Sequence, residues 1–163
     1  MTDGIGMKMV RRRHLLFAAA AMFATDAMAA GSANSTVSAQ VNAICKFNSG
    51  QAPVVTIANS AATIDPSLAG PATGNAAILY RCTAGTGPTF AVPTPATVTC
   101  TTAATCGVTT MAPTLSSVNT GAGSGFGSGQ DKTLTVTGQL TQVQYQDMQV
   151  GTYSGTVTVT VTP

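Results

Sequence analysis

The chain has 163 residues, 44% of them hydrophobic and only 7% charged, with four Cys, a single His and no Glu. Disordered chains pair low hydrophobicity with high net charge, and neither holds here, so a folded protein is expected.

Residues 1–29 read as an export leader. Lys8, Arg11, Arg12 and Arg13 form a positive region, residues 15–24 a short apolar run, and Ala27-Met28-Ala29 the small-residue cleavage site. The apolar run is too short to span about 30 Å of hydrocarbon as a helix, and no later segment reaches that length, so no membrane span is expected. Met7 or Met9 gives a more ordinary start than Met1, and general secretion is favoured over the twin-arginine route because no cofactor site is evident. Cleavage after Ala29 removes four of the seven basic residues and His14, leaving Lys46, Arg81 and Lys132 against Asp65, Asp131 and Asp147. A net-neutral chain with three scattered cations lacks the phosphate contacts on which nucleic-acid affinity rests, and anionic membrane is an equally poor partner. The 134 residues that remain make one domain.

Twenty-six of those residues are Thr, a β-branched residue that packs well on a pleated surface, while Gly, Pro, Ser and Asn supply turns. A sandwich of short strands is the architecture this composition favours. Residues 30–42 form an N-terminal extension in which Val37, Ala39 and Val41 share one phase and Ser38, Gln40 and Asn42 the other. Continued to residue 47, this predicts a strand with one apolar face: either the first strand of the home sheet or a strand donated to a neighbour's open edge. Shorter strands are predicted at 54–57, 76–81, 89–92, 97–100 and 107–111. Residues 121–130 are Gly-rich and predict a loop; their spacing fits neither a dinucleotide fingerprint nor a phosphate-binding loop. Residues 134–140 alternate again, and 143–145 with 148–151 are expected to continue as a meander. The last strand is the clearest, with Tyr153, Val157, Val159 and Val161 alternating with Thr and Ser over ten residues.

Cys45, Cys82, Cys100 and Cys106 all lie beyond the leader, where an oxidising compartment lets disulfides persist. Four cysteines allow three connectivities. The preferred one joins Cys45 to Cys82, tying the first strand to a later one, and Cys100 to Cys106, closing a short loop. A zinc site is disfavoured because no close Cys-x-x-Cys pair and no His remain. Acid–base catalysis is unsupported, since the exported part has no His and no Glu and its three Asp are far apart in sequence. Asp131 beside Lys132 and Asp65 before Pro66 read as solvated turns. No enzyme and no cofactor are expected.

Four stretches carry a resemblance to a known family. They are Val41-Asn42-Ala43-Ile44-Cys45-Lys46-Phe47, Ile64-Asp65-Pro66-Ser67-Leu68-Ala69, Tyr80-Arg81-Cys82-Thr83-Ala84-Gly85-Thr86, and Gly151-Thr152-Tyr153-Ser154-Gly155-Thr156-Val157-Thr158-Val159-Thr160-Val161. Together they resemble the spore coat protein U family, which includes pilins of the archaic chaperone-usher pathway; the Gly-rich stretch 111–129 departs from the family's pattern. The ending also resembles that of a second group of exported pilin-like domains. The resemblance implies an all-β, incomplete immunoglobulin-like sandwich over 43–163 that lacks its last strand. It implies an acceptor groove along Tyr153, Val157, Val159 and Val161, and a donor strand at Val37, Ala39 and Val41. It further implies a periplasmic chaperone, an outer-membrane usher and neighbouring pilin subunits as partners, with the product on the cell surface as a fimbrium or secreted. The alternative expectation is a self-contained secreted adhesive or coat module.

Overall fold

The computed structural model describes residues 35–107 and 109–163, so the expected leader and residues 30–34 of the expected extension lie outside the described residues. The chain divides into two units, Met1–Ser38 and Ala39–Pro163. In the first, residues 35–38 carry no regular secondary structure. The second contains, in order, β1 (Cys45–Phe47), β2 (Ala72–Cys82), β3 (Thr89–Ala91), β4 (Val98–Cys100), α1 (Ala103–Cys106), β5 (Thr110–Met111), β6 (Thr114–Asn119), β7 (Lys132–Leu140), α2 (Gln142–Tyr145), β8 (Tyr153–Ser154) and β9 (Thr160–Thr162). Among the described residues the protein is therefore built mostly of strands, with two single helical turns.

β2 and β7 are the longest strands and form the centre of a four-stranded antiparallel sheet ordered β1-β2-β7-β6. Their register sets Ala76 opposite Val136 and Ile78 opposite Leu134, so the even-numbered residues of both strands share one face. That face buries Ala72, Ile78, Tyr80, Cys82, Leu134, Val136 and Leu140. The odd-numbered face carries Thr73, Asn75, Thr133, Thr135 and Thr137 away from it. Full burial of a large aliphatic side chain is worth roughly 1.5–3 kcal/mol, so these few positions supply much of the stability.

Two smaller sheets, β3-β9 and β5-β4-β8, cover the buried face. Phe90, Val92 and Val159 pack on the cluster of Ile78, Tyr80, Cys82, Leu134 and Val136. Val98, Tyr153 and Met148 pack on a second cluster of Ala72, Met111, Leu140 and Tyr145. Gly74 opposes Gly138 in the sheet. Residues 55–57 cross the flat spot these glycines leave: an added Cβ on Gly74 would strike the Thr56 backbone, and one on Gly138 would lie 2.9 Å from Ile57 Cδ1. The expected strand at 54–57 is thus a crossing segment, tied to the sheet only where Ala58 bridges Thr73.

Other expectations are corrected by where backbone partners exist. The strand expected over 36–47 is reduced to β1, because Cys82, Arg81 and Tyr80 pair with residues 45–47 alone. The stretch 143–145, expected as part of a meander, is the helical turn α2. Its Thr141 N–H donates to Gln144 Oε1 at 2.8 Å, half of a capping box, and only Tyr145 of the turn is buried. β6 lies inside the stretch 111–129, where no strand was expected beyond residue 111.

Candidate functional site

Half-buried Tyr153, Val157, Val159 and Val161 alternate with exposed Ser154, Thr156, Thr158, Thr160 and Thr162, so the side-chain periodicity expected of the last strand is present. Its backbone pairing is interrupted. β8 pairs with β4 (Cys100↔Tyr153) and β9 with β3 (Phe90↔Val161), and the register shifts by two residues between them. The opposing segment 92–97 contains Pro93 and Pro95, which have no N–H to give, and Gly155 sits directly against the Thr97 carbonyl. As a result the peptide groups of residues 155–159 have no hydrogen-bond partner among the described residues.

Beside this segment lies a cleft of about 230 Å³ lined by Phe47, Asn48, Gln51, Pro53, Ile78, Val157 and Val159. Its floor is apolar and its rim is amide. The rim is fixed by Gln51, whose side chain imitates a strand: Leu79 N–H donates to Gln51 Oε1 at 2.6 Å, and Gln51 Nε2 donates to Leu79 O at 2.7 Å. Asn48 N–H also donates to Leu79 O at 3.0 Å, and Asn48 Nδ2 donates to Asp131 Oδ1 at 2.8 Å. Asp131 is gripped from the other side by Arg81, with Nε 2.6 Å from Oδ1 and Nη2 3.2 Å from Oδ2. The Arg81 hydrogen bond, and then that of Asn48, hold the Asp131 carboxyl down at about 2. Arg81 Nη1 donates to Phe126 O at 3.1 Å, anchoring the Gly-rich loop to the same cluster.

The three proposed donor residues sit on an exposed arm. Val37 is 91% and Val41 81% exposed, and Ala39 is exposed as well. Residues 39–41 make no backbone hydrogen bond among the described residues. The arm leaves the domain at Thr83, whose hydroxyl donates to Asn42 O at 3.0 Å and accepts from Ile44 N–H at 3.1 Å.

The cysteines pair as preferred. Cys45 and Cys82 are cross-strand partners joined by a disulfide at the root of the arm, and Cys100–Cys106 closes the loop holding α1, with Gly151 packed on its sulfurs. Among the described residues no group of three or more His, Cys, Asp or Glu could hold a metal, and no helix is long and apolar enough to cross a membrane.

A wider hollow of about 840 Å³ lies between residues 56–62 and 68–73. Its floor rests on the Tyr145 hydroxyl, which donates to Gly70 O at 2.6 Å and accepts from Asn59 Nδ2 at 3.0 Å. Asn59 Oδ1 accepts from Asp65 N–H at 2.7 Å, and Asp65 Oδ1 caps Ser67, which lowers its carboxyl pKa. The smaller cleft, which lies beside the segment 155–159 and is lined by Val157, Val159 and Ile78, is the better site for an extended apolar chain.

Sequence reasoning missed Asn48 and Gln51 as rim residues, and Arg81 and Asp131 as the pair that holds Asn48. Arg81 and Asp131 are 50 residues apart, and the adjacent Lys132 offered a nearer partner for Asp131 than the one it takes. What the assembled surface can do is chemically narrow: it can accept an extended backbone and small apolar side chains. No protein-family model, no curated protein and no solved structure matches the chain.

Proposed function

We propose that this chain is an exported, non-enzymatic structural subunit of a surface pilus, assembled through donor-strand exchange and serving adhesion or biofilm formation. One observation carries the reading. The peptide groups of residues 155–159 lack partners among the described residues, beside a cleft into which Val157 and Val159 project, in a protein that also holds an exposed, alternating apolar arm. An unpaired apolar strand is an aggregation hazard unless something covers it. An arm with Val37, Ala39 and Val41 on one face supplies the matching half in a neighbouring copy. A periplasmic chaperone would protect the cleft before assembly, and an outer-membrane usher would host the exchange. The incomplete immunoglobulin-like sandwich expected from the sequence is part of this proposal, and the antiparallel sheets packed over one face are compatible with it.

The test is the size distribution of the chain recovered from a bacterial periplasm, with and without residues 30–42, on unboiled gels and by light scattering. A ladder of heat-dissociable multimers that disappears on deletion supports the proposal. A stable full-length monomer refutes it and leaves a self-contained surface module.

A further inference from the structure

Strand β6 ends the four-stranded sheet on the side opposite β1. Its register places Ser116 opposite Thr137 and Val118 opposite Thr135, and just beyond it Thr120 N–H donates to Thr133 O at 2.9 Å. The even-numbered residues therefore turn their backbone groups toward β7, and the odd-numbered ones turn theirs off the edge. At the start of the edge these groups are taken: Leu115 N–H donates to Thr94 Oγ1 at 3.2 Å, and Pro113 O accepts from Ala96 N–H at 2.9 Å. The N–H and C=O of Ser117 and Asn119 have no partner among the described residues. Exposed edges are ordinarily blunted by Lys, Pro, a bulge or a covering loop. β6 reads Thr-Leu-Ser-Ser-Val-Asn, with no charge and no Pro, and Val118 between the two open residues is 74% exposed.

We propose that β6 is a self-association edge, on which two copies of this chain pair antiparallel about a two-fold axis through Val118. In that register Ser117 of one copy faces Asn119 of the other, and each such pair exchanges two backbone hydrogen bonds. Val118 then faces Val118 in the non-hydrogen-bonded position, where opposing side chains come closest. A second copy is the occupant because the open groups lie two residues apart, symmetric about one exposed apolar residue, so the edge is complementary to itself. Two-fold closure uses the edge once and stops. Neither the arm nor the cleft takes part. In a chain that also polymerises end to end, the contact would repeat along two filaments and join them side by side.

Full-length chain carrying Val118→Cys, with its native disulfides already formed, is expected to give a disulfide-linked dimer under mild oxidation. Ser116→Cys should not: across this two-fold the two 116 positions lie roughly 13 Å apart, beyond disulfide reach. Ser117→Pro removes one outward N–H per copy that has no partner among the described residues, and should weaken self-association about 30-fold in sedimentation velocity. The Val118→Cys dimer must persist when Val37 and Val41 are changed to Asp, which separates this edge from arm-mediated assembly. The inference is overturned by a monomeric Val118→Cys chain, by equal dimerisation of Ser116→Cys, or by a dimer lost with the arm substitutions.

Discussion

Alanine at Gly74 and at Gly138 should have very different costs, although the two residues face each other in the sheet. Neither has a left-handed backbone, so Ala is not strained at either position. Both changes gain about 0.4–1 kcal/mol by restricting the unfolded chain. At Gly138 the new methyl would lie 2.9 Å from Ile57 Cδ1 and 3.1 Å from Val55 Cγ1. These are side-chain ends that can rotate away, so overpacking at the low end of its usual range, about 1 kcal/mol, is nearly offset. At Gly74 the obstacle is the Thr56 backbone, so the crossing segment itself must lift. That adds overpacking of about 2 kcal/mol to the loss of the two Ala58–Thr73 backbone bonds, each 3.0 Å and each worth about 1 kcal/mol. Gly74→Ala should therefore lose about 3 kcal/mol and Gly138→Ala less than about 1. Urea unfolding monitored by near-ultraviolet circular dichroism measures both, with the slope checked for constancy. Equal losses, or a neutral Gly74→Ala, would refute the account of residues 55–58 as a segment pinned over a glycine pair.

Tyr145→Phe removes a buried hydroxyl that serves Gly70, Leu68 and Asn59, and should cost about 2 kcal/mol, read as a fall of several degrees in Tm by calorimetry. Replacing both Cys45 and Cys82 by Ala opens a loop of sequence separation 37 and should lower stability by about 3–4 kcal/mol in urea, with less loss for the Cys100–Cys106 pair, whose separation is 6. Asp131 has its carboxyl lowered from 3.8 to about 2 in the folded chain, so its contribution is present above the unfolded value and is lost as pH falls through the folded one. Thermal stability of the protein should fall between about pH 4 and pH 2, and Asp131→Asn should flatten that part of the profile. Val41→Asp should abolish multimers on unboiled gels while leaving the thermal unfolding of the domain unchanged, since Val41 is exposed and residues 39–41 make no backbone hydrogen bond among the described residues.

Much of the sheet could be read from side-chain alternation, and what escaped did so for identifiable reasons. β7 was readable because apolar and hydroxyl residues alternate there with one face buried, and the second half of β2 because residues 76–80 form a short apolar run. The first half of β2 was not, because Thr73-Gly74-Asn75 shows no apolar phase; its glycine serves a crossing segment that local sequence cannot reveal. β6 has only Leu115 and Val118 as apolar residues, and they fall on opposite faces. Val143 and Tyr145 mimic a period of two, while the opposing signal, Thr141 three residues before Gln144, is the mark of a helix start. The alternation of the last strand correctly gave its half-buried face but could not show that Pro93 and Pro95, some sixty residues earlier, deprive its middle of backbone partners. The cleft's rim depends on Arg81, Asp131, Asn48 and Gln51, brought together from three separate stretches, and no spacing rule relates them.

The central claim is that the C-terminal segment accepts the arm of another copy. The most direct measurement replaces Val159 with a photo-crosslinking amino acid, mixes isotopically light and heavy chains before assembly, and maps the crosslinks by mass spectrometry. Crosslinks from position 159 to residues 35–42 of the oppositely labelled chain are the predicted result. Crosslinks confined to the same chain, or none reaching those residues, would contradict donor-strand exchange.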